Sequence, residues 1–277
     1  MGGLLYIVGT PIGNLSDMSP RAVQTLEDCD FIAAEDTRVT LKILNHFEIK
    51  KHMLSYFDHN KLKRGEEITQ RILNGETCAL VTDAGMPAIS DPGEELVSKC
   101  HNLGIDVKVV PGPCAFVSAI AVSGMPGGRF CFEGFLSMNK TDRKKHLLSL
   151  AQERRTIVFY EAPHKLKATI ADLLETLGNR DIAIVRELTK IHEEVILTTL
   201  EDAALEYSQT QLKGEIVLIV AGACEDCPQS IELKTAASLI KEMTQGGLPL
   251  NKSCKIAAEL SGLKKNDIYS YFQKNFH

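Results

Sequence analysis

The chain has 277 residues, of which 44% are hydrophobic and 24% are charged, and its formal net charge is −5. This length exceeds the usual size of one domain, so we expect two domains with well-buried cores. The composition excludes wholesale disorder. The acidic total disfavours binding to nucleic acid, unless lysine and arginine are concentrated in a local patch.

The start of the chain, MGGLLYIVGTPIGN, has no basic leader, no long apolar stretch and no cleavage signature of a signal peptide. No segment reaches the roughly 18 uncharged apolar residues that a membrane span needs. We therefore expect a cytoplasmic protein that does not bind membranes.

Eight cysteines lie mostly within apolar runs, which is typical of reduced, buried thiols in a cytosolic chain. The pair Cys224 and Cys227 has the CxxC spacing of a metal or redox site. A zinc site would also need a second CxxC or paired histidines nearby, and neither follows. Structural thiols are the favoured interpretation, and we expect no metal.

Short apolar runs alternate with amphipathic stretches along most of the chain, which indicates alternating strands and helices. Ser19-Pro20 and Asp91-Pro92 each predict a helix start, with an N-cap and a proline in the first turn. This pattern predicts an α/β fold with largely parallel sheets and ligands at the carboxyl ends of strands. The predicted strands are 4–8, 31–34, 78–81, 107–110, 156–160, 182–185 and 216–220.

Two breaks in this pattern suggest the domain organisation. Pro111-Gly112-Pro113 interrupts it after the fourth predicted strand, and no strand is predicted after Pro228. We predict α/β domains at 1–112 and 113–228, followed by a helical tail at 229–277. Within the tail, Ser261-Gly262 separates two helical stretches, which resembles a helix-turn-helix module.

Two of the predicted strands lead into loops that suit a ligand. Asp83 follows strand 78–81, where a carboxylate can accept hydrogen bonds and Gly85 permits close approach of a ligand, whereas Asp91 is more simply a helix N-cap. The loop that begins at Gly9 has GxxxG spacing with prolines, unlike a dinucleotide fingerprint. A nicotinamide oxidoreductase is therefore disfavoured.

Charged residues follow the second predicted strand, in the run Glu35-Asp36-Thr37-Arg38. Charges next to a buried strand are costly unless they pair with each other or face a cleft. One interpretation is an ion pair through Arg38 at the start of the next helix. The other places a carboxylate and a guanidinium at the edge of a functional site.

Nine motifs in order along 4–275 resemble the tetrapyrrole methylase superfamily, and within it the branch that acts on small-subunit ribosomal RNA. The resemblance implies S-adenosylmethionine-dependent methylation of a cytidine ribose 2′-hydroxyl in the decoding region of 16S ribosomal RNA. It also implies two α/β domains with the cofactor in the cleft between them, and a homodimer. The motifs are YIVGTPIGNLSDMSPRA, AEDTR, SYFDHN, LVTDAGMPAISDPG, PGPCA, FEGFL, TIVFYEAPHKL, RELTK and KGEIVLIV.

The resemblance also assigns the residues that bind the cofactor, and the charged run after the second predicted strand supplies our candidates for catalysis. Glu35 or Asp36 is the expected proton acceptor, and Arg38 is expected to orient RNA phosphate or the carboxylate. Met86 stands where threonine is expected, and Cys114 where serine is common. The residues expected to bind the cofactor are Gly9, Thr10, Asp83, Gly85, Met86, Cys114, Ala115, Tyr160, Glu161, Ala162 and Gly214.

Two local excesses of positive charge are candidates for contact with RNA. One is the cluster Lys140, Arg143, Lys144, Lys145 and His146, with Arg154 and Arg155 further on, although such a surface is equally often only solvated. The other is the lysine-rich tail, whose lack of arginine favours phosphate contacts over base contacts.

Two alternative functions stay open. The first alternative is a corrin or porphyrin precursor methylase, which would not need the basic tail. The second is an RNA-binding assembly factor that has lost the chemistry. Assays of tetrapyrrole against ribosomal RNA, and of cofactor binding, distinguish these alternatives.

Overall fold

The computed structural model describes residues 3–210, 212–224 and 229–276. Contacts between residues divide the chain into two compact units. The first unit runs to Ser118 and includes Thr189–Ile191, and the second holds Ala119–Leu188 and His192–His277. The three domain ranges given above stay a prediction.

The first unit is built on a sheet of five parallel strands in the order β3-β2-β4-β1-β5. Four of these strands lie where the sequence predicts them, with β4 in the centre. The missed strand, β3, is a four-residue edge strand that is only partly buried, so it lacks a continuous apolar run. The strands are β1 (Leu4–Val8), β2 (Phe31–Ala34), β3 (His52–Ser55), β4 (Cys78–Val81) and β5 (Asp106–Val110).

Helices cover this sheet and bury two apolar clusters against it. The predicted N-cap at Ser19 is confirmed, because its Oγ accepts a hydrogen bond from the Ala22 amide at 3.1 Å. The N-cap position before Gly93 is held by Pro92 and not by the predicted Asp91. Asp91 lies one residue earlier, and its Oδ1 accepts the Gly93 amide at 2.7 Å. The helices are α1 (Pro20–Asp28), α2 (Thr37–His46), α3 (Lys61–Leu73) and α4 (Gly93–Asn102), and α5 (Ala115–Ser123) follows β5.

The second unit contains a mixed sheet in the order β6-β7-β10-β8-β9, so the expectation of largely parallel sheets is wrong here. Of its four described strand pairs, β6 with β7 is parallel and the other three are antiparallel. The edge strands β6 and β9 are half-exposed and were missed for that reason. The strands are β6 (Phe130–Phe135), β7 (Thr156–Glu161), β8 (Asp181–Arg186), β9 (Glu194–Thr199) and β10 (Ile216–Val220).

A large apolar core lies between this sheet and the helices α6 (Lys140–Ser149), α7 (Leu166–Leu177) and α8 (Leu200–Glu206). Arg180, only 7% exposed, donates hydrogen bonds to the carbonyls of Leu177, Ala151 and Ala221. A buried guanidinium thus links three segments of the unit through their backbone.

The tail forms three helices, α9 (Gln229–Gln245), α10 (Leu250–Ser261) and α11 (Lys265–Phe276). The predicted turn is present, with Gly262 in the left-handed conformation (φ 72°) after α10. The three helices share an apolar cluster with Leu148 of α6. The tail therefore packs on the second unit and is not an independent extension.

The described cysteines are free thiols, and four of the seven are buried. Burial raises the pKa of Cys29 and of Cys100 to about 11, as expected for inert structural thiols. Cys224 is exposed, and Cys227 lies outside the described residues, so the CxxC interpretation stays a prediction. None of the described helices is long and apolar enough to cross a membrane.

Candidate functional site

The loops that leave β1 and β4 are joined to each other by hydrogen bonds. The Thr10 amide donates to the Gly85 carbonyl at 2.9 Å, and the Gly85 amide donates to the Thr10 carbonyl at 3.1 Å. The Thr10 hydroxyl, 1% exposed, donates to the Thr82 carbonyl at 3.1 Å. Thr10 therefore fixes the geometry of this edge, and its polar groups are already used inside the protein.

The loop after β1 also packs tightly on the turn after β5. A Cβ atom added to Gly9 would lie 2.7 Å from both Gly112 Cα and the Met86 sulfur, which is closer than any side chain tolerates. The Gly112 amide donates to the Met86 sulfur at 3.3 Å. Met86 thus joins two loops. Where threonine is expected to offer a hydroxyl, the methionine side chain offers a packing contact instead.

Asp36 and Arg38 adopt the arrangement that the ion-pair interpretation predicts. Asp36 is the N-cap of α2, and its Oδ1 accepts the Arg38 amide at 2.8 Å. The Arg38 guanidinium also donates to both carboxylate oxygens, at 3.0 Å to Oδ1 and 2.6 Å to Oδ2. These bonds lower the pKa of Asp36 from 3.8 to about 2. The Arg38 side chain is 88% exposed, so it is also accessible to a ligand.

Glu35 and Asp83 meet at the carboxyl ends of the neighbouring strands β2 and β4. The Thr82 hydroxyl donates to Glu35 Oε2 at 2.6 Å, and the Asp83 amide approaches the same oxygen at 3.5 Å. The Asp36 amide donates to Asp83 Oδ1 at 3.0 Å. Burial, with the neighbouring charges of Glu35 and Asp36, raises the pKa of Asp83 above its ordinary value. Three carboxylates therefore converge at one edge of this sheet.

Cys114 and Ala115 lie at the start of α5, after the Pro-Gly-Pro turn. The Ser118 amide donates to the Cys114 carbonyl at 3.0 Å. Burial raises the pKa of the Cys114 thiol, although the amides of Phe116 and Val117 partly offset that rise. A neutral thiol at a helix start is a weak hydrogen-bonding group, which suits a structural or packing role better than a nucleophilic one.

The residues of the second unit that are predicted to bind the cofactor lie at the carboxyl end of β7 and just before β10. Tyr160 packs edge-on against Phe132, with ring centroids 5.0 Å apart. Glu161, 5% exposed, accepts the Ala162 amide at 2.7 Å through Oε1 and the Thr169 hydroxyl through Oε2. The Glu161 carboxylate is therefore a structural group that holds the strand end to α7.

Gly214 lies two residues before Ile216, the first residue of β10, which pairs with Glu161 at the end of β7. It has φ of +89°, and an added Cβ would overlap the side chain of Glu187. Glu187 Oε1 in turn accepts the Glu215 amide at 3.1 Å. A glycine is needed here for backbone geometry and for packing, independently of any ligand.

The cluster around α6, considered above as an RNA contact, is largely neutralised inside the second unit. Arg143, 12% exposed, pairs with Asp172 at 2.5 Å, and Lys144, 15% exposed, pairs with Glu242 of α9 at 2.9 Å. His146 is 2.8 Å from a Glu133 carboxylate oxygen. These side chains fix the helices of this unit, so they are poorly suited to bind phosphate.

The motif SYFDHN, another polar candidate, is mainly structural. Tyr56 is 2% exposed and its hydroxyl donates to the Pro92 carbonyl at 3.1 Å. Asn60 precedes α3 and its side-chain amide donates to the Ser55 carbonyl at 3.1 Å. Both residues hold loops of the first unit in place.

Two residues of the site were not assigned roles from sequence, namely Thr82 and Gly112. Thr82 holds Glu35, and Gly112 allows the close packing against Gly9. In the sequence, Thr82 is marked only by its place directly after a predicted strand, and Gly112 only by its place between two prolines. A partner 47 residues away cannot be read from such local patterns.

Comparisons with known proteins place this architecture in a family. The sequence pattern of the Tetrapyrrole (Corrin/Porphyrin) Methylases matches residues 4–204. The chain belongs to the tetrapyrrole methylase family. Solved structures agree in fold: uroporphyrin-III C-methyltransferase of Thermus thermophilus, solved with S-adenosyl homocysteine, has a TM-score of 0.58 at 16% identity, and the match covers 79% of this chain and 97% of that one.

Within the tetrapyrrole methylases, two curated relatives are closer in sequence, and both are named ribosomal RNA small subunit methyltransferase I. The one from Synechocystis is 44% identical over 268 residues, covering 96% of each chain. The one from Thermotoga maritima is 48% identical over 220 residues, covering 79% of this chain and 99% of that protein. By family and by these relatives the chain is a methyltransferase.

Proposed function

We propose that this methyltransferase uses S-adenosylmethionine to methylate the ribose 2′-hydroxyl of a cytidine in 16S ribosomal RNA of the small ribosomal subunit. The observation that carries the proposal is 44% identity, over 96% of both chains, to a relative named for this RNA subunit. The carboxylate cluster at the edge of the first sheet supplies the acid-base groups that the chemistry requires. A ribosomal substrate supports a cytoplasmic location for the protein.

The residues present suit this cofactor chemically. Bound S-adenosylmethionine would supply a methyl group attached to a sulfonium sulfur. The leaving group is then a neutral thioether, so its departure needs no acid. A cationic ligand is attracted by the negative charge of Glu35, Asp36 and Asp83, and Asp83 is only partly buried. Gly9, Thr10, Gly85, Met86, Cys114 and Ala115 of the first unit, and Tyr160, Glu161, Ala162 and Gly214 of the second, are the proposed cofactor residues.

Several of these residues act on the cofactor through shape and backbone more than through side-chain hydrogen bonds. The Thr10 hydroxyl and both Glu161 oxygens are already bonded inside the protein. Their contribution is to fix the strand ends on which the ligand would lie. Fixed geometry matters here, because alignment of the reacting atoms can be worth about 7–11 kcal/mol of the barrier.

The acceptor hydroxyl poses the remaining chemical problem, because a ribose hydroxyl is a poor nucleophile until its proton is removed or shared. A positioned base contributes about 10²- to 10⁴-fold. Glu35, Asp36 and Arg38, together with the adjacent Asp83, form the proposed polar side of the reaction, where one of the carboxylates takes the proton. Arg38 has an exposed guanidinium that can bind RNA phosphate.

The decisive experiment is methylation of purified small subunits from cells that lack this protein, with methyl-labelled cofactor and mapping of the labelled nucleotide. We expect the label on the 2′-oxygen of one cytidine. Label on a tetrapyrrole and none on RNA would favour the precursor methylase. Calorimetry that detects no S-adenosylmethionine binding would favour a non-catalytic assembly factor.

The tail is proposed to hold the RNA through phosphate contacts. Exposed lysines lie on α10, on α11 and in the turn between them, among them Lys252, Lys264 and Lys274. The tail from Gln229 onward has seven lysines and no arginine, which supports contacts with phosphate over base-specific contacts.

Charge-neutral substitutions test the tail without removing its helices. In K252Q/K264Q/K274Q we expect weaker RNA binding and unchanged cofactor affinity, with the salt dependence of log K reduced by about 2–3 units of slope. The matched control is K50Q/K63Q/K108Q, which removes three exposed lysines of the first unit. Equal RNA affinity in the tail variant and in the wild type would contradict this role.

We also propose a homodimer. The edge strand β5 supports it, because Val109 in that strand is 58% exposed, and exposed apolar edge strands favour association. Sedimentation of the wild type is expected to give twice the chain mass, and Val109→Glu is expected to shift it towards the monomer. A wild type that sediments as a monomer would reject the dimer.

A further inference from the structure

Three carboxylates at the edge of the first sheet are candidates to take the proton of the acceptor hydroxyl. A general base needs an oxygen free to receive the proton, a fixed position and a proton affinity suited to the reaction. Glu35, Asp36 and Asp83 are all held in place, but they differ in which of their oxygens already accept hydrogen bonds. The hydrogen bonds of the site therefore distinguish them.

Asp36 is poorly suited to receive a proton. Its Oδ1 accepts the Arg38 amide at 2.8 Å and the Arg38 Nε at 3.0 Å, and its Oδ2 accepts the guanidinium at 2.6 Å. These contacts lower the pKa of Asp36 to about 2. Protonation would weaken both the helix cap and the ion pair, so Asp36 is a structural carboxylate.

One oxygen of the Glu35 carboxylate already accepts hydrogen bonds from the protein. Its Oε2 accepts a 2.6 Å hydrogen bond from the Thr82 hydroxyl, and Thr82 is only 7% exposed. The same oxygen faces the Asp83 amide at 3.5 Å. Two donors aimed at one oxygen hold the Glu35 carboxylate in place. Glu35 therefore contributes a fixed negative charge next to Asp83.

Asp83 combines a fixed position with an open oxygen. The Asp36 amide holds Oδ1 at 3.0 Å, and within the described part of the chain no hydrogen bond to Oδ2 is present. Partial burial raises the pKa of Asp83, and so do the adjacent charges of Glu35 and Asp36. The charged groups that influence Asp83 all follow β2, and Arg38 among them partly offsets the rise.

We propose that Asp83 Oδ2 accepts the hydroxyl proton of the substrate ribose, and that Glu35 and Asp36 position Asp83. This inference rests on the proposed function. As the ribose oxygen bonds to the methyl carbon, the carbon–sulfur bond breaks and its electron pair stays on sulfur, which becomes a neutral thioether. The hydroxyl proton passes to Asp83 and then to water, which restores the carboxylate.

The proposal separates two roles for Asp83, as a proton acceptor and as a ligand of the cofactor. In Asp83→Asn the amide oxygen can still accept the Asp36 amide, so the loop is expected to keep its fold. We expect calorimetry to give a cofactor Kd raised by at most a few-fold, through the loss of one of the three negative charges near the ligand, whereas kcat falls about 10²- to 10⁴-fold. The acidic limb of the pH–rate profile is expected to disappear in this variant.

A measurement independent of turnover accompanies this test. In the cofactor-free protein, carboxyl carbon NMR is expected to show Asp83, like the buried Asp91 and Asp172, titrating above the ordinary 3.8. The Asp83 signal is identified as the one that is absent from Asp83→Asn. Asp83→Glu is expected to recover part of the lost kcat. In Glu35→Gln, the titration of Asp83 is expected to move towards lower pH, because a like charge has been removed.

Three results would overturn the inference. The first is a cofactor Kd raised in Asp83→Asn while kcat is unchanged, which would make Asp83 a cofactor ligand. The second is normal turnover in Asp83→Asn with the acidic limb lost in Glu35→Gln, which would make Glu35 the acceptor. The third is an Asp83 titration at or below 3.8. If the wild type binds cofactor but leaves ribosomal RNA unlabelled, the proposed function fails instead.

Discussion

Asp83 and Glu161 occupy comparable places in the two sheets, because each lies at or just after the carboxyl end of an inner strand. Glu161 has both oxygens occupied by donors of its own unit, and it is 5% exposed. Among the residues that the structure describes, Asp83 has a hydrogen-bond donor on Oδ1 only, and its side chain is partly exposed. A carboxylate at a strand end is thus a structural group in one sheet and an available group in the other.

The difference follows from what lies next to each carboxylate. Glu161 accepts hydrogen bonds from the first amide after its own strand and from the Thr169 hydroxyl of α7, so the local chain satisfies it. Asp83 meets two further carboxylates from the neighbouring strand, and like charges cannot satisfy one another. Such an arrangement costs stability and is typical of functional sites.

The largest expected effect on stability comes from Glu161→Ala. This change leaves the buried partners of the carboxylate without an acceptor, at a cost of about 1–3 kcal/mol for each unpaired group. Unfolding in urea measures the loss. Glu161→Gln keeps an acceptor of similar size and is the matched control, so equal midpoints for Ala and Gln would contradict the structural role.

Gly9→Ala is expected to be the next most damaging change, because the new Cβ would lie 2.7 Å from the Gly112 backbone. Overpacking of this kind costs about 1–3 kcal/mol, and here it also displaces the loop that carries Thr10. Thermal unfolding and cofactor calorimetry should both worsen. Gly128→Ala, where an added Cβ meets nothing within 4 Å, is the control and should unfold like the wild type.

Asp36→Ala is expected to lower the melting temperature by a few degrees, because α2 loses its N-cap. The folded pKa of Asp36, about 2, lies below the ordinary 3.8, so ionised Asp36 stabilises the folded state. The stability difference between wild type and variant should therefore be complete above about pH 4 and fall as the pH drops towards 2. A difference that is constant over this range would contradict the lowered pKa.

Asp83→Asn is expected to change stability least, and in the opposite direction. Because the folded pKa of Asp83 is raised, its ionised form costs folding free energy above the ordinary pKa of 3.8. At low pH the variant and the wild type should have the same free energy of unfolding. As the pH rises to 7, that of the variant should stay equal or become slightly larger. Marked destabilisation at pH 7 would show that Asp83, like Glu161, is a structural group.

Much of the fold can be predicted from sequence because buried strands have a local signature. The run CALV of β4 is apolar throughout, and its four residues are buried, so its position and its central place were predictable. HMLS of β3 is a partly exposed edge strand and has no such signature. The antiparallel position of β10 between β7 and β8 depends on pairing across long stretches of chain, which apolar runs do not reveal.

The candidate site was predictable in composition but not in roles. The charged run after β2 and the Asp83 loop after β4 both stood out, because polar residues directly follow buried strands. The hydrogen bond from Thr82 to Glu35 and the contact of the Asp36 amide with Asp83 join residues 47 positions apart. Which carboxylate is free depends on these contacts, so sequence could not separate Glu35 and Asp36 from Asp83.

The position of β10 has a consequence for synthesis of the chain. All five strands of the first sheet lie within the first 110 residues, so this sheet can assemble while the rest is still being translated. In the second sheet the inner strand, Ile216–Val220, is the last strand to be made. Until it emerges, β7 and β8 lack their shared neighbour, and the nascent second unit exposes apolar strand edges that a chaperone can recognise.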